Sequence, residues 1–265
     1  MAENFSSAAL GAALPTRWLG RHSVVLAGCA STNDLAAQQA RGGASEGLVV
    51  VADTQSGGRG RLGRSWHSPP GENLYFSILL RPTRPAVEIP PLTLLAGAAL
   101  ARALTAFGVV PRLKWPNDVQ LAVGDRAPPR KVAGILTEMA TEGAHVAHVV
   151  VGIGLNVNTR QFPPDLVDKA TSLALARGTA APLDRLTVLA AVLAAFEDAY
   201  EKFRADGPRA AVALWNPFAA LGARCRGRAD GRDVEGVSLG IDADGALRVR
   251  GDDGRVHRVV SGEVT

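Results

Sequence analysis

Between Gly47 and Val157 the chain repeats one pattern, in which apolar, β-branched runs of strand length are separated by glycine-, proline- or charge-rich turns. GLVVVADTQ (Gly47 to Gln55), NLYFSILLR (Asn73 to Arg81), RLKW (Arg112 to Trp115), RKVAGILTEM (Arg130 to Met139) and HVAHVVVGIGLNV (His145 to Val157) each read as a strand, and so does RHSVVLAG (Arg21 to Gly28). One long run of helix formers, PPLTLLAGAALARALTAFG (Pro90 to Gly108), interrupts the series, with prolines at its entry and a glycine at its end. DRLTVLAAVLAAFEDAYEKFRADG (Asp184 to Gly207) is an amphipathic helix with an aspartate in the capping position, and PRAAVALW (Pro208 to Trp215) is a shorter one that Asn216-Pro217 breaks. These elements make a mixed α/β domain. From about residue 217 the texture changes to short apolar runs punctuated by DG, DADG and DDG, the turn chemistry of closely spaced hairpins. Two domains are expected, 1–216 and a small all-β one over 217–265.

With 265 residues, almost half of them hydrophobic, the chain is long enough for a sizeable packed core. Lys+Arg minus Asp+Glu is 29 − 25 = +4, which is mild and argues against a dedicated nucleic-acid binder. Two cysteines, Cys29 and Cys225, without CxxC spacing, suit a reducing compartment. The N-terminal stretch lacks the basic start and long apolar core of a secretory signal, and no uninterrupted apolar run of membrane-spanning length is read, so a cytoplasmic location and no membrane partner are expected.

The chemistry concentrates in the turns. GGRGRLGRSW (Gly57 to Trp66) packs four glycines and three arginines between two strands. Glycines let backbone approach a ligand, while Arg59, Arg61 and Arg64 carry planar donor forks suited to phosphate or carboxylate oxygens. The loop is neither a Walker A sequence nor a dinucleotide GxGxxG, so a phosphate, a nucleic-acid backbone and plain solvent remain open as its partner. Ser31-Thr32-Asn33-Asp34, before a helical pattern, matches a capping box, and a polar helix start is also a seat for a small head group. In KWPNDVQL a proline-fixed turn presents Asn117 and Asp118, which are ordinary turn residues or else contacts for a nucleotide or Mg²⁺. Lys131 opens its strand, and GIGLNVN (Gly152 to Asn158) sets glycines and asparagines in an apolar run, as close approach to a ligand requires.

In this order and spacing CASTND, TQSGGRGRLGRSWHSPPGENLYFSILLRP, KWPNDV, KVAGILTEM and GIGLNVN resemble the catalytic module of biotin protein ligases (biotin–[acetyl-CoA-carboxylase] ligases), and GIDADGALRV with SGEV resembles their C-terminal domain. The resemblance implies an α+β fold. It would have a mixed-sheet catalytic domain of the class II synthetase-like biotin/lipoate ligase type, followed by a small SH3-like β-barrel. It implies that biotin and MgATP are joined into biotinyl-5′-AMP and that biotin then passes to a lysine of a biotin carboxyl carrier domain of acetyl-CoA carboxylase or related carboxylases. By position, Ser31, Thr32, Asn33, Gln55, Arg59, Gly60, Arg61 and Lys131 would bind biotin. Arg59, Arg61, Arg64, Trp66, Asn117, Asp118, Lys131 and Asn156 would bind ATP. Lys131, Arg59 and Arg61 would serve catalysis, and Asp118 the Mg²⁺. Some members carry a winged helix-turn-helix before this module. About thirty residues precede Ser31, so no specific DNA binding is expected, and homodimer formation is left open. A lipoate or octanoate ligase is the nearest alternative.

Overall fold

The computed structural model describes residues 5–124, 128–229 and 231–264, so part of the polar loop VGDRAPPR, at 125–127, lies outside the described residues. Seven strands form a mixed sheet: β1 (Ser23–Leu26), β2 (Val49–Ala52), β3 (Leu74–Leu80), β4 (Pro111–Lys114), β5 (Asp118–Leu121), β6 (Arg130–Glu142) and β7 (His145–Leu155). Their order is β1-β2-β3-β7-β6-β5-β4, with β1 and β2 parallel and every other pair antiparallel. Strands β2 and β3 are buried at every position because both faces of the sheet are covered there. Val49 and Val51 enter the main core, whereas Val50 between them joins Leu79 and Val150 under helix α2 (Thr32–Arg41) on the other face.

The main core lies under α3 (Leu92–Thr105), α5 (Arg185–Asp206) and α6 (Pro208–Trp215), with α1 (Ser7–Ala13) and α4 (Leu173–Arg177) at the periphery. Asp184 caps α5 as its sequence position implies, accepting from Leu186 N–H at 3.2 Å and Thr187 N–H at 3.1 Å. Farther along α5, the buried Glu197 carboxylate accepts the backbone N–H groups of Arg17, Trp18 and Leu19 at 2.8, 3.0 and 2.9 Å, which ties the N-terminal segment to the helix. A short turn at Ala86–Glu88 extends α3 into a stretch, Ala86–Thr105, that by length and composition alone is long and apolar enough to cross a membrane. No uninterrupted apolar run of that length is expected from the sequence, and this one carries Glu88 and Arg102. In the fold most of that stretch is buried in the core.

The C-terminal strands β8 (Arg224–Ala229), β9 (Arg232–Ile241), β10 (Leu247–Gly251), β11 (Val256–Val259) and β12 (Ser261–Val264) form an antiparallel sheet in the order β11-β10-β9-β8-β12. Its two edge strands are joined by Val260 alone, so the sheet has to curl to bring its edges together. β8 alternates strictly, with Cys225, Gly227 and Ala229 inward and Arg224, Arg226 and Arg228 outward. The barrel docks on the larger sheet through Ala220 N–H to Leu113 O (2.9 Å) and the Trp115 indole N–H to Gly245 O (3.0 Å). Gly245 has φ +86°, and a Cβ there would lie 2.7 Å from Leu94 Cδ1, so a larger residue would strain the backbone and push that side chain aside. Cys225, Val234, Leu247 and Val249 belong to the same continuous core as the main-sheet residues.

Candidate active site

The start of α2 is the first component. Ser31 occupies the N-cap with extended backbone, but its hydroxyl makes no capping hydrogen bond, so the capping box read from the sequence does not form. The acid that would close it, Asp34, instead receives Arg59 Nη1 at 2.7 Å. Ser31, Thr32 and Asn33 are nonetheless all buried and face a common cavity. Gln55, after β2, accepts from Thr32 N–H (2.9 Å) and the Thr32 hydroxyl (3.2 Å) through Oε1. Its Nε2 donates to Ser68 Oγ at 3.4 Å, which fixes the amide's orientation. Ser77 on β3 donates to Asn33 Oδ1 at 2.6 Å, while Asn33 Nδ2 donates to Leu136 O (3.2 Å) and Glu138 Oε2 (2.6 Å). Asn33 lies directly over Gly152 of β7, where any Cβ would overlap its side chain.

The Gly/Arg loop is a small hairpin. Trp66 N–H donates to Gly58 O (2.9 Å), Gly60 N–H to Arg64 O (2.6 Å), and Arg59 and Ser65 form a bridge. At the tip Leu62 (φ 57°, ψ 35°) and Gly63 (φ 74°) are both left-handed, as the tight hairpin turn requires. For the exposed leucine this conformation costs about 1–2 kcal/mol. From the sequence, Arg59 is a free donor fork for an anion. In the structure its guanidinium is held by Asp34 and by both oxygens of Glu138 (3.1 and 3.3 Å), and its hydrogen bond to Asp34 foremost raises its pKa.

The second polar cluster surrounds Lys131. Its Nζ contacts Asp118 Oδ1 at 2.6 Å and stands 5.3 Å from the centroid of the Trp66 ring. Trp66 covers Gly154 and Gly134; a Cβ on Gly134 would be 2.9 Å from its Cζ3, and one on Gly154 would overlap the indole. The indole nitrogen of Trp66 is buried without a hydrogen-bond partner. Arg61 Nη1 reaches Asn117 Oδ1 at 3.5 Å, and Asn117 Nδ2 donates to Ile135 O at 2.9 Å. The buried Asn156 donates from Nδ2 to Thr171 O (3.1 Å), which leaves its side-chain oxygen for a ligand.

Both clusters line one cavity of about 580 Å³. Every residue assigned from the sequence to biotin or ATP borders it: Ser31, Thr32, Asn33, Gln55, Arg59, Gly60, Arg61, Arg64, Trp66, Asn117, Asp118, Lys131 and Asn156. Sequence reasoning missed Lys114, Gln120 and the wall formed by Phe162, Leu166, Lys169 and Ala170. That wall is built by main-chain pairing, Lys131 N–H to Lys169 O at 2.9 Å and Thr171 N–H to Lys131 O at 2.8 Å, and no local pattern announces it. Among the described residues no group of three or more His, Cys, Asp or Glu side chains gathers as a metal site; Asp118 and Asp165 are the carboxylates that line the cavity. Nor is a thiolate nucleophile prepared. Burial, and next the charge of Asp34, push the Cys29 thiol up.

Fold and cavity together define an enzyme-like α/β protein, in which a hydroxyl- and amide-rich seat adjoins a cationic one, the arrangement that brings an acid and a phosphate together. The biotin/lipoate A/B protein ligase family matches residues 28–156 and the biotin protein ligase C-terminal domain residues 220–265. The chain is 37% identical over 255 residues to the bifunctional ligase/repressor BirA of Bacillus subtilis, covering 95% of this chain and 76% of that one. It is 36% identical over 234 residues to the biotin–[acetyl-CoA-carboxylase] ligase of Mycobacterium tuberculosis, covering 84% and 81%. Among solved structures, the biotin protein ligase of Aquifex aeolicus in complex with biotin and ATP superposes with a TM-score of 0.76 at 30% identity, covering 92% of this chain and 98% of that one. The chain belongs to the biotin protein ligases of the biotin/lipoate A/B protein ligase family.

Proposed function

We propose that the protein activates biotin with MgATP to biotinyl-5′-AMP and then transfers biotin to a lysine of a biotin carboxyl carrier domain. The observation that carries this reading is the convergence of both polar clusters on one cavity, whose volume suits an acid and a nucleotide side by side. In the first step a biotin carboxylate oxygen attacks the α-phosphorus, the bond to the β-phosphate breaks, and pyrophosphate leaves. Two anions have to meet, and Lys131 and Arg61, among the cations that line the cavity, offset repulsion and developing charge. Asp118 holds Lys131 in place and is a cavity carboxylate that would hold the Mg²⁺ entering with ATP, an ion that takes few protein ligands when phosphates supply the rest. In the second step the carrier lysine's amine attacks the acyl carbon and AMP leaves. Ser31, Thr32, Asn33 and Gln55 seat the ureido ring, and Arg64, Trp66, Asn117 and Asn156 face the nucleotide.

Biotin-dependent exchange of labelled pyrophosphate into ATP tests the reading, and folded protein that shows no exchange would overturn it. The same assay separates the octanoate alternative. A straight alkyl acid leaves the buried hydroxyl and amide seat without a partner, so octanoate is expected to support exchange with a kcat/KM lower by roughly 10³-fold.

A further inference from the structure

We propose that Glu138 and Asp34 are positioning residues that latch the Gly/Arg hairpin and orient the amide of Asn33 through one shared network. The inference deepens the biotin-ligase reading and rests on it. Neither carboxylate lines the cavity; what they set is where two lining residues lie. Glu138, on β6, takes Arg59 Nη2 on both oxygens (3.1 and 3.3 Å) and Asn33 Nδ2 on one (2.6 Å). Asp34, in the first turn of α2, takes the other arm of Arg59 at 2.7 Å. With Ser77 donating to its Oδ1, Asn33 is held at both ends of its amide and can turn over only by losing three hydrogen bonds.

The physical character of these contacts is that of a latch. A permanently buried ion pair is shielded from water, whereas the side chains of Arg59, Asp34 and Glu138 are 41%, 55% and 45% exposed. Such contacts are individually weak, break readily and are screened by salt. Two carboxylates for one guanidinium nevertheless grip the hairpin at its base on two different elements, α2 and β6. Lifting the hairpin breaks both grips at once and leaves Glu138 with the Asn33 amide as its remaining side-chain partner. Arg59 therefore fastens the hairpin, and the cationic role at the reacting groups falls to Lys131 and Arg61.

The test compares wild type with Asp34→Asn, Glu138→Gln and the double variant. Ligand-free protein is digested with trypsin, and the rate of cleavage after Arg61 and Arg64 is normalised to a peptide of the loop sequence. In low salt the double variant is expected to be cut about tenfold faster than wild type, the sum of two exposed charged contacts. The gap should close in about 1 M NaCl, where the screening length falls to about 3 Å. Asp34→Glu, which keeps the charge, should return most of the protection that Asp34→Asn loses. Biotin release should quicken in parallel with loop cleavage. Equal cleavage of wild type and double variant in low salt overturns the latch, as does a difference that persists unchanged in high salt. Because the digestion contains no ligand, this failure is distinguishable from failure of the biotin assignment, which the exchange assay reports.

Discussion

Lys131 is held by a single carboxylate at 2.6 Å and stands over an aromatic face, so its ammonium is positioned without being sequestered. A preorganised cation of this kind stabilises charge that develops in a transition state more than charge already present in the ground state. Lys131→Ala should slow adenylate formation in a single turnover by roughly 10²–10³-fold while changing biotin affinity far less. An unchanged single-turnover rate would remove Lys131 from the chemistry. Single residues of this type were the legible part of the site. A lysine at a strand start says little alone, but in order with a polar helix start and arginines among glycines it takes a role from the family resemblance, and the fold gathers all of them into one cavity. Glu138 and Lys169 were not legible. Glu138 lies within the KVAGILTEM motif without a role read for it there, and its meeting with Asn33 depends on α2 crossing the sheet above Gly152, a long-range fact with no local signature.

Among the elements, the strongly patterned runs were readable because period and punctuation agreed, as in α5 with its Asp184 cap and α3 between prolines and glycine. Three short elements were not. α1, α4 and β5 owe their form to neighbours more than to propensity, and β5 begins within the sequence that reads as a turn, at Asp118. The capping box failed for a related reason, since a local rule gave way to a charged partner 25 residues away. At Glu197 the same competition yields a pH prediction. Burial alone would push this carboxyl up, but the N–H groups of Arg17, Leu19 and Trp18 outweigh it and hold the group below its ordinary value. A depressed carboxyl contributes stability above its unfolded pKa of about 4.3, and that contribution is lost as pH falls through the folded value. Glu197→Gln should therefore cost about 1–3 kcal/mol at pH 7. By denaturant titration the deficit should shrink progressively below about pH 4. A deficit independent of pH would show that the carboxylate's charge is immaterial to the tie.

At the scale of the whole molecule, the barrel and the main sheet share one hydrophobic core, and Trp115 joins them from within the segment that also supplies Asn117 and Asp118 to the cavity. The composition shift near residue 217 made a second β unit readable, but nothing in the sequence showed that its DADG turn would seat against Trp115 and Leu94. That seam is a match of surfaces, and each half looks unexceptional alone.

The shared core makes a thiol in the barrel a gauge of what happens in the distant cavity. Cys225 is 4% exposed, so a thiol reagent reaches it only when the molecule opens. With one cooperative core that opening is global, and a ligand bound to the closed form suppresses it by mass action wherever it binds. Biotin at about 100 times its Kd adds about 2.7 kcal/mol, which corresponds to labelling of Cys225 slowed roughly 100-fold in a Cys29→Ser background. A labelling rate indifferent to biotin would mean that the barrel opens by itself. A slowed one makes occupancy of the biotin site readable from the far end of the chain, with no assay of the reaction at all.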